Sequence, residues 1–151
     1  MNNSRLVFPK LYCIHYNECD PKKCTSLKLK KHGLLNIKRK IEGNLRKAIL
    51  LNPFSQKILS SGDRTRILKH GLIVIDCSWN LNSIFNLLKT ENQRKLPPLI
   101  ASNPTNYGKW EKLSSVEALA AALYITNFKA FADLILSKFH WGLEFKRINN
   151  F

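Results

Sequence analysis

Three short apolar runs, "AILLNP" (48–53), "LIVIDCSW" (72–79) and "PPLIASNP" (97–104), do most to limit what this chain can fold into. None alternates apolar with polar residues, and each is closed by polar residues or proline. A strand with one wet face alternates, whereas a strand covered on both faces does not. The runs therefore predict strands of a largely parallel sheet flanked by helices, an α/β fold. In open sheets of that kind ligands sit in a crevice at the carboxyl ends of the strands. Asp76 and Trp79, at the end of the second run, are the first residues to suspect there.

The segments around the runs supply the rest. Leu11 to Tyr16, β-branched and aromatic, predict a further strand, and "NECDPKKCTS" is turn chemistry opened by Asp20-Pro21. "LKLKKHG" predicts a short helix ended by Gly33. "SSGDRTRILKHG" predicts one that starts at Asp63 and stops at Gly71. Ile84, Phe85, Leu87 and Leu88 share one helical face. Ser114 and Glu117 stand in capping-box spacing ahead of "ALAAALYI", and "KAFADLILSKF" continues as a second helix.

A chain of 151 residues can bury a proper core without disulfides or metal. Its formal charge of +15 is large for that size, and such self-repulsion calls for a polyanionic partner, nucleic acid first. The charge is uneven: the first fifty residues hold twelve Lys and Arg against three Asp and Glu. No run reaches the roughly 18 apolar residues that a spanning helix needs, and "MNNSRLVFPK" lacks a signal-peptide core, so a soluble, cytoplasmic protein without membrane contact is expected. In that setting Cys13, Cys19, Cys24 and Cys77 read as reduced thiols.

Each candidate constellation has two readings. Asp76 is either a turn or N-cap aspartate closing its strand, or a carboxylate that pairs with a cationic ligand group. Trp79 is either core or, with Leu51 and Pro53, one wall of an apolar slot for a planar ring. Ser114 and Glu117 explain themselves as a capping box, yet free N–H groups at a helix start also receive a carboxylate or phosphate. Lys22, Lys23, Lys28, Lys30 and Lys31 form either a solvated basic surface or a phosphate-tracking one.

Other chemistries find little support. The spacing His15-x3-Cys19-x4-Cys24 lacks the compact C-x2-C knuckles of structural zinc sites, so no metal is expected. No glycine-rich phosphate loop occurs. His15, His32, His70 and His140 lie in unrelated contexts, and no serine sits in a nucleophile-elbow sequence.

Five stretches, read together, resemble one family: "CDPKKCT" (19–25), "DRTRILKHGLIVIDCSW" (63–79), "LPPLIASNPTNYGK" (96–109), "KLSSVEALAAALYI" (112–125) and "LSKFHWG" (136–142). They are similar to the small-subunit rRNA aminocarboxypropyltransferases, over about Tyr12 to Gly142. The resemblance implies a SPOUT-like sheet with a deep trefoil knot in its C-terminal part, residues 49–151, preceded by a small basic α/β domain, residues 1–48, that contacts RNA. It implies S-adenosylmethionine as donor, without metal, and transfer of the 3-amino-3-carboxypropyl group to N3 of N1-methylpseudouridine in small-subunit rRNA, with release of 5′-methylthioadenosine.

The resemblance also implies roles. Leu51, Pro53 and Trp79 would enclose the adenine or the methyl group. Ile75 and Leu99 would offer backbone hydrogen bonds, and Thr25 would lie near the methionine part. Ser114, Ser115 and Ala118 would take the carboxylate end. Asp76 would pair with the ammonium or lie near the sulfonium, and it is the nearest carboxylate for the N3 proton. A monomer acting on the pre-ribosomal small subunit is expected. Two rivals remain at this point: a SPOUT-type RNA methyltransferase using the same donor, and a non-catalytic basic RNA-binding assembly protein.

Overall fold

The structure, a computed structural model, describes residues 7–15, 25–76 and 91–151. Its frame is a sheet of β1 (Leu11–His15), β2 (Asn36–Lys38), β3 (Ile49–Leu51), β4 (Leu72–Asp76) and β5 (Gln93–Arg94). The strands lie in the order β2-β1-β4-β3-β5, and every neighbouring pair is parallel. Around them lie α1 (Thr25–Lys31), α2 (Arg64–His70), α3 (Ser115–Ile125), α4 (Lys129–Leu136) and α5 (Gly142–Ile148). Two short 3-10 turns occupy Gly43–Lys47 and Ser61–Asp63.

Both faces of the sheet are covered, which is why the strand sequences do not alternate. Leu11, Cys13, Ile49, Leu51, Leu72 and Val74 enter the main core with the helices. Ile14, Leu50, Ile73 and Ile75 form a second cluster on the opposite face, with Tyr12, Ile41 and Leu45 against it. Each buried Leu or Ile contributes about 1.5–3 kcal/mol relative to exposure.

The central helix is α3, whose residues Val116, Glu117 and Leu119 to Tyr124 are all buried. A helix that is apolar nearly all round belongs in an interior, and α3 packs on β4, α1 and α4. Gly142 fixes the entry to α5: a Cβ there would stand 2.0 Å from the Leu136 carbonyl oxygen, so only glycine lets α5 meet the end of α4. Gly71 does the same ahead of β4. It caps α2 at φ 103°, and a Cβ would stand 2.7 Å from the Tyr12 ring.

Several expectations meet their elements. The helix expected to start at Asp63 begins at Arg64. Asp63 is its N-cap residue, and the Asp63 side chain accepts from the Ser60 N–H at 3.1 Å and pairs with Arg94 at 3.2 Å. The capping box of Ser114 and Glu117 is present. The third apolar run is a correction: "PPLIASNP" makes no strand. Pro97 and Pro98 lack ladder donors, and the backbone of Ile100 is engaged elsewhere. Its N–H donates to Asn149 Oδ1 at 2.8 Å, and its carbonyl accepts from Asn149 Nδ2 at 2.9 Å. Only an isolated antiparallel bridge to Trp110 forms there. The edge of the sheet is taken instead by the polar pair Gln93–Arg94.

β2 and α5 were not foreseen. The helix expected around Ile84 to Leu88 lies outside the described residues. The expected boundary between residues 48 and 49 precedes β3, and strands from both sides of it share one sheet and one core.

Candidate functional site

The order of the strands singles out one place on the sheet. From β1 the chain turns to β2 on one side, while from β4 it passes to β5 on the other. The direction of winding therefore reverses between β1 and β4, where open α/β sheets place their ligands. These two strands run in register from Leu11↔Leu72 to His15↔Asp76, so Asp76 occupies the last rung at the carboxyl edge. The β3–β4 ladder ends earlier, at Leu50↔Ile73. The edge of β4 from Val74 to Asp76 that faces β3 extends past that ladder. Ile75 lies on this stretch, with its side chain in the second core cluster.

At the end of β3, Leu51 is buried in the main core and Pro53 is exposed. Asn52 between them turns the chain: its N–H donates to the Arg94 carbonyl at 2.8 Å, and its side-chain oxygen accepts from the Phe54 N–H at 2.8 Å. Leu99 is buried, and its carbonyl accepts from the Glu111 N–H at 2.9 Å.

The next segment is tied to the start of α3 by a carboxylate that the sequence reading had credited only with capping. Glu117 is fully buried. Its Oε2 accepts from the Ser102 N–H at 2.6 Å and its Oε1 from Asn103 Nδ2 at 2.6 Å. The Ser114 N–H donates to Oε1 at 2.9 Å, and the Ser114 and Ser102 hydroxyls lie at 3.0 and 3.2 Å. Donors on every side offset the cost of burying this charge. No pairing of residues 102 and 117 could be read from local spacing.

Thr25 completes the start of α3. Its hydroxyl accepts from the Val116 N–H at 3.3 Å, which joins the first residue of α1 to the helix that carries Ser114 and Ser115. The Glu117 N–H donates to Ser114 Oγ at 3.4 Å, and the Ala118 N–H to the Ser114 carbonyl at 2.9 Å. The Ser115 N–H has no acceptor among the described residues. Thr25 and Ser114 stand on the wall of an open cleft of about 1480 Å³. Lys28, Lys30 and Lys31 line the same cleft, together with His32, Lys112 and His140, which the sequence reading had not assigned to it. Lys28 Nζ sits 4.9 Å from the centre of the Phe139 ring, and Phe139 packs on Trp141 at 5.1 Å.

The structure thus brings Thr25, Ser114, Ser115 and Ala118 together and sets Lys28, Lys30 and Lys31 beside them. It sets Asp76 and Ile75 at the switch point. Trp79, Lys22 and Lys23 lie outside the described residues. No helix among the described residues is long and apolar enough to cross a membrane.

A family model described as "Ribosome biogenesis protein, C-terminal" matches residues 49–151. A second, described as a possible Fer4-like domain in RNase L inhibitor, matches residues 9–40. Of the cysteines in that span, Cys13 is buried in β1, while Cys19 and Cys24 lie outside the described residues. No group of three His, Cys, Asp or Glu able to hold a metal occurs among the described residues.

The 16S rRNA aminocarboxypropyltransferase of Methanocaldococcus jannaschii is 45% identical over 95% of this chain and 84% of its own length. The protein of that name from Thermoplasma acidophilum is 43% identical over 92% of this chain and 84% of its own. Among solved structures, the SAM-dependent rRNA acp-transferase Tsr3 from Vulcanisaeta distributa superposes with a TM-score of 0.89 at 36% identity, covering 94% of this chain and 79% of that one. Agreement of that extent in sequence and in overall fold identifies the chain as a member of the rRNA aminocarboxypropyltransferase family.

Proposed function

We propose that this protein transfers the 3-amino-3-carboxypropyl group of S-adenosylmethionine to N3 of N1-methylpseudouridine in small-subunit rRNA. It would act as a monomer, in the cytoplasm, during maturation of the small ribosomal subunit. The observation that carries this reading is the junction of Thr25 with the start of α3 on the wall of a lysine-lined cleft. A site for an anionic amino-acid end and a path for a polyanion adjoin there. The finer form of the fold, a SPOUT-like sheet with a deep trefoil knot, belongs to the same proposal and is consistent with the all-parallel sheet.

The donor supplies a sulfonium whose bond to the aminocarboxypropyl methylene breaks as the N3–carbon bond forms, the electron pair leaving with 5′-methylthioadenosine. Three carbons on that sulfur are activated alike, so the choice among them rests on placement. The Ser115 N–H, without an acceptor among the described residues, takes the donor carboxylate beside Thr25 and Ser114. Ala118 contributes contact rather than its N–H, which is already bonded. The edge of β4 at Ile75 and the backbone at Leu99 hold the adenosine, while Leu51, Pro53 and Trp79 enclose the adenine or the methyl group. In this reading Asp76 pairs with the ammonium or lies near the sulfonium, and its carboxylate receives the N3 proton. Lys22, Lys23, Lys28, Lys30 and Lys31 track rRNA phosphates.

The test is the sulfur product formed with S-adenosylmethionine and unmodified small subunits. 5′-Methylthioadenosine is expected; S-adenosylhomocysteine would assign a methyltransferase, and no turnover a binding protein. Asp76→Asn should lower turnover at least tenfold with a urea midpoint close to wild type, since the amide keeps the shape and loses the charge. Unchanged turnover at saturating donor and rRNA removes Asp76 from the reaction.

A further inference from the structure

A second basic groove opens at the amino end of the sheet, the end away from the donor crevice. It encloses about 770 Å³ and is lined by Lys10, Lys38, Lys40, Lys47, Lys69 and His70, with Tyr12 among them. Lys10 and Gly71 immediately precede β1 and β4, so this end of the groove stands back from the carboxyl edge by the length of a five-residue strand, about 16 Å, while its other end reaches Lys38, the last residue of β2, on the rung of Ile14. The donor site does not use it.

The charge in the groove is nearly unopposed. Its one acidic residue, Glu42, is engaged by Lys40 at 3.3 Å. Lys10, Lys38, Lys47 and Lys69 are exposed and make no ion pair among the described residues. The fold invests in the groove's floor, because Gly71 is held at φ 103° where any side chain would strike the Tyr12 ring. His70 reports the field: its pKa is lowered by desolvation and then by the like charges of Lys69, Arg66 and Lys47.

We propose that this groove is a second RNA-backbone site, which holds a segment of small-subunit rRNA remote from the nucleotide being modified. Unpaired lysines around an aromatic floor are the arrangement that tracks a polynucleotide strand without reading its bases. The inference rests on the reading that small-subunit rRNA is the substrate. It adds that the enzyme grips its substrate at two ends, so that affinity for long rRNA exceeds what the acceptor hairpin alone supplies.

The experiment compares wild type with the triple variant Lys10→Gln, Lys47→Gln, Lys69→Gln, whose positions all precede strands at the amino end. Affinity is measured at several salt concentrations for deproteinised small-subunit rRNA and for a short hairpin that carries only the acceptor nucleotide. On the long rRNA, the plot of log affinity against log salt should flatten by roughly two to three, with about tenfold weaker binding at low salt. Hairpin affinity, hairpin turnover and donor affinity should match wild type. Parallel salt slopes on the long rRNA overturn the proposal. Equal losses on the hairpin also overturn it, because the lysines would then serve the acceptor itself. Neither measurement depends on turnover, so a failure of the transferase reading appears separately, as a missing sulfur product. As a second readout, the His70 imidazole followed by NMR should titrate at higher pH when long rRNA neutralises its neighbours. An unmoved titration counts against the site.

Discussion

Glu117 is the side chain on which the candidate site most depends without touching a ligand. It is fully buried and receives two backbone N–H groups, an amide N–H and two hydroxyls from two separate stretches of chain, residues 102–103 and Ser114. Glu117→Gln would place an NH2 where every neighbour is a donor. Whichever way the amide turns, one buried donor loses its acceptor, at a cost of roughly 2–4 kcal/mol. Urea denaturation should show that loss as a lower midpoint with little change in slope. Ser115 offers the converse case, a residue whose backbone N–H has no acceptor among the described residues and is proposed to serve the donor. It is the first residue of α3, and Ser114 before it has φ −72° and ψ 168°, which proline tolerates in its predecessor. Ser115→Pro should leave stability within about 0.5 kcal/mol of wild type. It should weaken S-adenosylmethionine binding by roughly 1.5–3 kcal/mol, through loss of one hydrogen bond to a charged group. Calorimetry of donor binding beside a thermal melt checks both halves, and unaltered affinity would move the carboxylate elsewhere.

At the scale of elements, the three C-terminal helices are joined by one polar chain. Tyr124 on α3 donates its hydroxyl to Asp133 on α4, which pairs with Lys146 on α5 at 3.0 Å. Burial first, and then the hydrogen bond to Asp133, raise the Tyr124 pKa well above its usual value. A folded-state pKa raised above the unfolded value gives stability that is whole below about pH 10 and is lost as pH climbs through the folded pKa. The stability advantage of wild type over Tyr124→Phe should therefore be constant from pH 7 to about 9.5 and shrink above it. Urea midpoints of the two proteins across that range provide the check, and a constant difference up to pH 11 would deny the linkage. The same scale shows what the sequence could disclose. "AILL" and "LIVID" were legible as strands because burial on both faces leaves a plain mark, an unbroken apolar run. "PPLIASNP" bears the same mark for another reason: it is a buried loop whose backbone is satisfied by Asn149 and Glu111, far along the chain. Gln93–Arg94, an edge strand of two polar residues, carries no apolar signal at all. At the site, the capped start of α3 could be read locally. Its union with Thr25 could not, since 91 positions separate that hydroxyl from the N–H it accepts.

For the molecule as a whole, the basic N-terminal segment and the remainder proposed to bind the donor are either two folding units or one. β1 lies between β2 and β4, so β4 pairs on one edge with a strand from the first fifty residues and on the other with β3. Leu11, Cys13, Leu29 and Leu35 share the main core with Leu119, Leu123 and Phe145. Removing residues 1–48 would strip those side chains from the core and leave a central parallel strand with an unpaired edge, which sheets of this class do not tolerate in water. The division between RNA-contacting and donor-binding segments is thus expected to be one of function within a single cooperative unit. Far-UV and near-UV circular dichroism of the full chain should give coincident unfolding curves. The fragment 49–151 should show no cooperative melt and should bind no S-adenosylmethionine, even though it carries most of the proposed donor contacts. A fragment that melts cooperatively and binds the donor would make the N-terminal segment an accessory domain. The RNA grip and the donor site would then have to be coupled across an interface instead of through one shared sheet.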